Sequence, residues 1–133
     1  MAGFGLDPVP GLIRLVPDSA YLFLLNGPKA QKRFSLQQMR MVIGRGDPPN
    51  ITVDLDLTDC ELDAIPMISR RHAIIQWVNG ELQILDLASR NGTYVDGQRL
   101  NPTVDQQLSS PAVLKRDSKV KLANLEFEVI TCG

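Results

Sequence analysis

The chain is poor in the residues that usually announce catalysis, metal binding or a disulfide scaffold. Its 133 residues include one histidine, two cysteines, one Trp, two Tyr and four Phe. Cys60 and Cys132 lack the dense, even pattern of a disulfide framework and have no His or Cys companions at metal-ligand spacing. No metal and no cofactor is expected, and a reducing cytoplasm is the expected compartment. No apolar run nears the roughly 20 residues that a membrane-spanning helix needs, and no basic segment followed by a long apolar stretch opens the chain. Neither a membrane span nor a signal peptide is expected. Charge of one sign is also missing: 14 Lys and Arg stand against 15 Asp and Glu, a formal net charge of -1. A nucleic-acid binder would show a basic excess, so nucleic acid is not expected as a partner. The length does allow one domain with a real hydrophobic core.

Three glycines and three prolines fall within Met1 to Asp18, around the short apolar stretch Leu12-Ile13-Arg14-Leu15-Val16. Residues 1–19 are expected to be an extension or linker that adds at most one edge strand, and residues 20–131 the folded domain. From Ser19 onward apolar runs are short, alternate with period two and are punctuated by turn residues, the pattern of β-structure. Tyr21 to Leu25, Phe34 to Leu36 and Met41 to Ile43 read as strands. Ile51, Val53, Leu55 and Leu57 alternate with Thr52, Asp54, Asp56 and Thr58, which reads as an antiparallel strand with one wet face. Ala73 to Val78 and Glu81 to Leu87 flank Asn79-Gly80, and Thr93 to Val95 and Gln98 to Leu100 flank Asp96-Gly97. Both dipeptides accept positive φ cheaply, as a tight hairpin requires. Val120 and Leu122 pair naturally with Leu125, Phe127 and Val129. The expected fold is all-β, a two-sheet β-sandwich of about ten to eleven mostly antiparallel strands. The loops Thr58 to Ile68 and Pro102 to Val113 are long for such a fold.

Three short segments stand at strand ends: Gly44-Arg45, Ser69-Arg70-Arg71-His72 and Ser89-Arg90-Asn91-Gly92. Glycine lets the backbone turn sharply before Arg45, whose planar fork matches two phosphate oxygens at once. Ser69 can donate a hydroxyl proton to a further oxygen, and Arg70 adds positive charge. Adjacent residues of an extended segment point to opposite sides, so Arg71 is assigned to the surface. Asn91 carries both donor and acceptor, suited to the main chain of an extended peptide.

In this order, on an all-β pattern, the segments resemble the forkhead-associated (FHA) domain family, and the resemblance covers roughly Ala20 to Ile130. It implies a β-sandwich that binds phosphothreonine peptides through loops at one end. Carried over, Arg45, Ser69 and Arg70 would meet the phosphate, Arg90 the rim and Asn91 the peptide backbone. Gly44, His72 and Gly92 would support the site, His72 by bracing the loop that bears the serine. The partner implied is a phosphothreonine segment of a protein in a Ser/Thr kinase pathway. Arg116-Asp117 and Ala123-Asn124 depart from the family, standing where glycine-containing turns are common.

Other readings are weaker. A Ser69–His72–Asp86 triad lacks a nucleophile elbow, and in an extended strand a three-residue spacing would direct Ser69 and His72 apart. Asp54-Leu55-Asp56-Leu57-Thr58 resembles the Asp-x-Asp-x-Thr signature of haloacid-dehalogenase-like phosphatases, but hairpins follow it where crossover helices would be needed. No catalytic residue is expected. The acids Asp54, Asp56, Asp59, Glu61 and Asp63 could favour basic residues beside the phosphothreonine. The competing function is a phosphate-independent assembly module that dimerises or docks through its surface.

Overall fold

The computed structural model describes residues 15–101 and 108–132. Most of the 1–19 extension, and residues 102–107 of the second long loop, lie outside the described residues. Leu15 and Val16, expected within an edge strand, belong to none. Instead the Val16 carbonyl accepts the Ser19 and Ala20 N–H groups at 3.1 and 3.0 Å, a turn that feeds the first strand.

Eleven strands follow, in chain order: β1 Ala20–Leu24, β2 Arg33–Ser35, β3 Arg40–Gly44, β4 Leu55–Asp56, β5 Ala73–Val78, β6 Glu81–Asp86, β7 Thr93–Val95, β8 Gln98–Arg99, β9 Ala112–Leu114, β10 Lys119–Leu122 and β11 Leu125–Thr131. A single 3₁₀ turn, Thr58–Cys60, is the only helical element among the described residues. The strands form two sheets, ordered β2-β1-β11-β10-β7-β8 and β4-β3-β5-β6-β9. Asn79 (φ 52°) with Gly80 (φ 79°), and Asp96 (φ 49°) with Gly97 (φ 87°), close the β5–β6 and β7–β8 hairpins, the primed-turn geometry that matches strand twist.

Alternation fills the space between the sheets. One contributes Leu22, Leu24, Val120, Leu122, Leu125 and Phe127, the other Met41, Ile43, Ile75, Trp77, Leu82 and Ile84, all buried. The one polar atom of Trp77 is satisfied, its Nε1–H donating to the Leu36 carbonyl at 2.7 Å. Cys60 is free and buried, and that burial pushes its thiol above the ordinary 9.0. No helix among the described residues is long and apolar enough to cross a membrane.

The expected Ile51–Thr58 strand is the main correction. Only Leu55 and Asp56 join a ladder, and they pair parallel with β3, Ile43 facing Leu55 and Gly44 facing Asp56. Upstream, Asp47 and Ile51 exchange two main-chain hydrogen bonds of 2.8 Å, which curl the chain away before it rejoins β3 in the same direction. Asp54 then holds Val42 twice, its N–H on the Val42 carbonyl at 2.9 Å and its Oδ2 accepting the Val42 N–H at 2.8 Å. The wet and dry faces still alternate, with Leu55 and Leu57 buried and Asp54 and Asp56 exposed. The turns that depart from the family keep a glycine-like backbone without glycine: Asp117 has φ 71° and Ala123 φ 54°.

Candidate functional site

The end of β3, the segment before β5 and the β6–β7 connection meet at one rim of the sandwich. Gly44 permits that meeting. A Cβ on it would lie 2.8 Å from the Ser69 carbonyl oxygen and nearer still to that of Arg70, both main-chain atoms that cannot swing aside. With no side chain in the way, the Arg45 and Gly46 N–H groups donate to the Ser69 and Arg70 carbonyls at 3.2 and 3.0 Å.

Arg45 is anchored rather than free. Its Nε–H donates to the Ile68 carbonyl at 2.9 Å, and the Arg45 carbonyl oxygen lies 2.6 Å from the Thr58 hydroxyl. The terminal nitrogens of its fork have no partner among the described residues. Ser69 accepts the Arg90 N–H on Oγ at 3.0 Å, which leaves its hydroxyl proton able to donate. Arg70 is exposed and lies 3.2 Å from the Asp47 carboxylate, a surface pair of little energetic weight. Arg71 is exposed and does not line the pocket. Asn91 gives its Nδ2–H to the Met67 carbonyl at 2.8 Å; its Oδ1 has no partner among the described residues.

Arg45, Ser69, Arg70 and Arg90 line one pocket of about 210 Å³, together with Pro66, Met67 and Ile68. Larger hollows of about 390 Å³, around Tyr94, Lys119 and Lys121, and about 440 Å³, around Lys32 and Asp54, lie elsewhere. The smaller one carries the chemistry, because three guanidinium-bearing side chains and a hydroxyl converge there without an acidic residue in the lining.

Beneath the pocket, His72 is fully buried. Its Nδ1 accepts the Ser69 N–H at 3.1 Å and its Nε2 lies 2.8 Å from the Gly92 carbonyl. A carbonyl needs a donor, so the proton sits on Nε2 and the ring is neutral. Burial pushes its pKa below the ordinary 6.5, against the opposing pull of the Gly92 carbonyl and of Asp86 and Glu61. The expectation that Ser69 and His72 diverge is corrected here: residues 69–72 lie in no strand, and the chain bends at Arg70 and Arg71. The contact uses the Ser69 main chain. Both ring nitrogens are occupied, so none is left to take a proton from the Ser69 hydroxyl.

Sequence reasoning missed two supports. Asp86, 3% exposed, accepts the Ser89 and Thr93 hydroxyls on Oδ1 at 2.5 and 2.7 Å and the Ser89 N–H on Oδ2 at 3.1 Å. The Ser89 Oγ in turn accepts the Gly92 N–H at 3.0 Å, which sets the turn that carries Asn91. The alternation of β6 pointed to it, since Leu82, Ile84 and Asp86 share the inward face and a buried acid needs hydroxyl partners. The second is Glu61, half-buried, whose Oε1 and Oε2 accept the Met67 and Ile68 N–H groups, each at 3.1 Å. No local pattern marks it.

The FHA domain family model matches residues 41–122. The oxoglutarate dehydrogenase inhibitor of Corynebacterium efficiens is 36% identical over 107 residues, 80% of this chain and 68% of that protein. The glycogen accumulation regulator GarA of Mycobacterium tuberculosis is 36% identical over 96 residues, which cover 72% of this chain. The matched part is about half, 53%, of that regulator's length. Among solved structures, the FHA domain of the CT664 protein from Chlamydia trachomatis superposes with a TM-score of 0.65 at 25% identity, covering 86% of this chain and 99% of that one.

Proposed function

Because this chain belongs to the FHA domain family, we propose that its rim binds a phosphothreonine segment of a partner protein in a Ser/Thr kinase pathway. It does so in the cytoplasm and without catalysis. The observation that carries this reading is the convergence of Arg45, Ser69, Arg70 and Arg90 on one pocket. A phosphate brings nearly two negative charges and three strong acceptors. Anchored by Nε, Arg45 presents its two terminal nitrogens as a fork already held in place, so little side-chain entropy is lost on contact. The Ser69 hydroxyl donates to another oxygen, and Arg70 is shared between Asp47 and the ligand. Asn91 receives the peptide main chain on its free Oδ1. An unphosphorylated segment would leave these donors unmatched.

Two things support the absence of catalysis: His72 has no nitrogen free for base chemistry, and the relatives are named as an inhibitor and a regulator. The test is calorimetric titration with phosphothreonine peptides and their unphosphorylated counterparts. We expect binding of the phosphorylated form only, and a loss of about ten- to a hundredfold in Arg45→Ala, the worth of one or two charge-assisted hydrogen bonds. Partner binding that survives Arg45→Ala, or ignores phosphorylation, would overturn the reading in favour of phosphate-independent assembly.

A further inference from the structure

We propose that Glu61 is a positioning residue for this rim, setting Arg45 and Asn91 through the backbone of Met67 and Ile68 without itself meeting the peptide. The proposal rests on the phosphopeptide reading and deepens it.

The Met67–Ser69 segment lies in no strand, so its peptide groups have no ladder to hold them. Side chains hold them instead, one plane at a time. The Met67 carbonyl and the Ile68 N–H belong to a single rigid peptide plane. Asn91 Nδ2 grips its oxygen at 2.8 Å, and Glu61 Oε2 grips its N–H at 3.1 Å. The next plane joins the Ile68 carbonyl to the Ser69 N–H. Arg45 Nε holds its oxygen at 2.9 Å, and His72 Nδ1 holds its N–H at 3.1 Å. Glu61 Oε1 takes the Met67 N–H as well, at 3.1 Å. Residues 61 and 67–68 are thus tied across the loop that delivers the phosphate-binding segment.

A carboxylate near a dianion site would ordinarily repel the ligand. Here both of its oxygens are turned onto main-chain N–H groups, which places its charge against donors rather than in the pocket, and Glu61 is absent from the pocket lining. The expectation that this acid selects basic residues in the peptide therefore gives way to a task inside the protein. Without it, the 67–68 plane is held only at its oxygen end and can rotate. The Met67 and Ile68 carbonyls would then leave the positions to which Asn91 and Arg45 are set. Asp cannot substitute, because its stem is one methylene shorter.

The test compares Glu61→Ala and Glu61→Gln with Glu126→Ala, an exposed acid outside the rim. In ¹⁵N NMR spectra of the unliganded chain, the Arg45 Nε–H and Asn91 side-chain amide signals should move toward free-solvent values in both Glu61 variants. The β5 and β6 amides should keep their shifts. Affinity for a phosphothreonine peptide should fall about tenfold in Glu61→Ala, the cost of misplacing a charge-assisted contact, and less in Glu61→Gln, which keeps one acceptor. Glu126→Ala should change neither readout. Unmoved Arg45 and Asn91 signals in Glu61→Ala would overturn the proposal, as would affinity equal to that of the Glu126 control. Should Glu61→Ala lose its strand amides, Glu61→Gln decides, and full affinity with unmoved signals in that variant overturns it. A wild-type chain that binds no phosphothreonine peptide sinks the functional reading itself, an outcome visible before any Glu61 variant is compared.

Discussion

The Nε–H of Arg45 donates to the Ile68 carbonyl at 2.9 Å, so one residue of the pocket lining is fastened to the segment that carries two others, Ser69 and Arg70. One guanidinium both builds the site and presents the charge that the site uses. Lysine carries its donors on a single terminal nitrogen, with neither a separate Nε–H to anchor it nor the planar fork.

Arg45→Lys, which preserves the charge, should therefore weaken phosphothreonine-peptide binding by about tenfold or more, the worth of a charge-assisted hydrogen bond together with the lost geometry. Isothermal titration of both proteins measures it. Affinity within twofold of wild type would show that charge alone matters at this position.

Gly44→Ala should be one of the most damaging single-methyl additions in the chain. Its Cβ would press on the Ser69 and Arg70 carbonyls, both main-chain atoms that are already accepting hydrogen bonds. Relief requires β3 to separate from the 69–70 segment. A loss of about 2–4 kcal/mol in unfolding free energy is expected, the range of severe overpacking and broken networks. Urea denaturation checks it, and a midpoint unchanged from wild type would contradict the close approach.

His72 makes stability fall in mild acid. Burial holds its pKa below the ordinary 6.5, so between the folded value and 6.5 the unfolded chain binds more protons than the folded one. By linkage, stability is then fully present above about pH 6.5 and erodes as pH drops through that window toward the folded value. A proton on Nδ1 would also remove the acceptor that Ser69 N–H uses. Denaturation midpoints measured from pH 7.5 down to 5 should decline, and His72→Gln should flatten the decline. A wild-type profile that is level across that range would refute the assignment.

Local chemistry was legible wherever it is local in space as well. Asn79-Gly80 and Asp96-Gly97 marked their hairpins because positive φ is a property of those residues themselves. The run Val120 to Leu122 does pair with the run that begins at Leu125, as expected, because a short turn joins them; the register itself, Val120 opposite Phe127 and Leu122 opposite Leu125, is given by the structure. The strand at Ile51–Thr58 misled for the complementary reason: alternation tells which side faces water but not which neighbour supplies the hydrogen bonds. The parallel pairing of Leu55 with Ile43 depends on the Asp47–Ile51 curl, which no period-two pattern records.

The candidate rim divides the same way. Gly44, Arg45, Ser69, Arg70 and Asn91 were named from residue type and strand ends, and Arg90 from the family resemblance; the structure brings Arg45, Ser69, Arg70 and Arg90 to one pocket with Asn91 tied to its Met67 wall. Neither Asp86 nor Glu61 was named as a support: the inward phase of β6 marked Asp86 as a buried acid without saying what it holds, and Glu61, in a loop, carries no periodic signal at all.

The sequence by itself determined the all-β character, the inward and outward faces, the hairpin positions and the chemical types available at the strand ends. These follow from side-chain period and turn propensity, which each residue carries wherever it sits. Only the tertiary structure decided which carboxylate holds the Met67–Ile68 backbone, which nitrogen of His72 bears the proton and which way β4 runs. Those depend on unsatisfied peptide groups finding donors and acceptors across space, and such partners exist only once the two sheets have closed on each other.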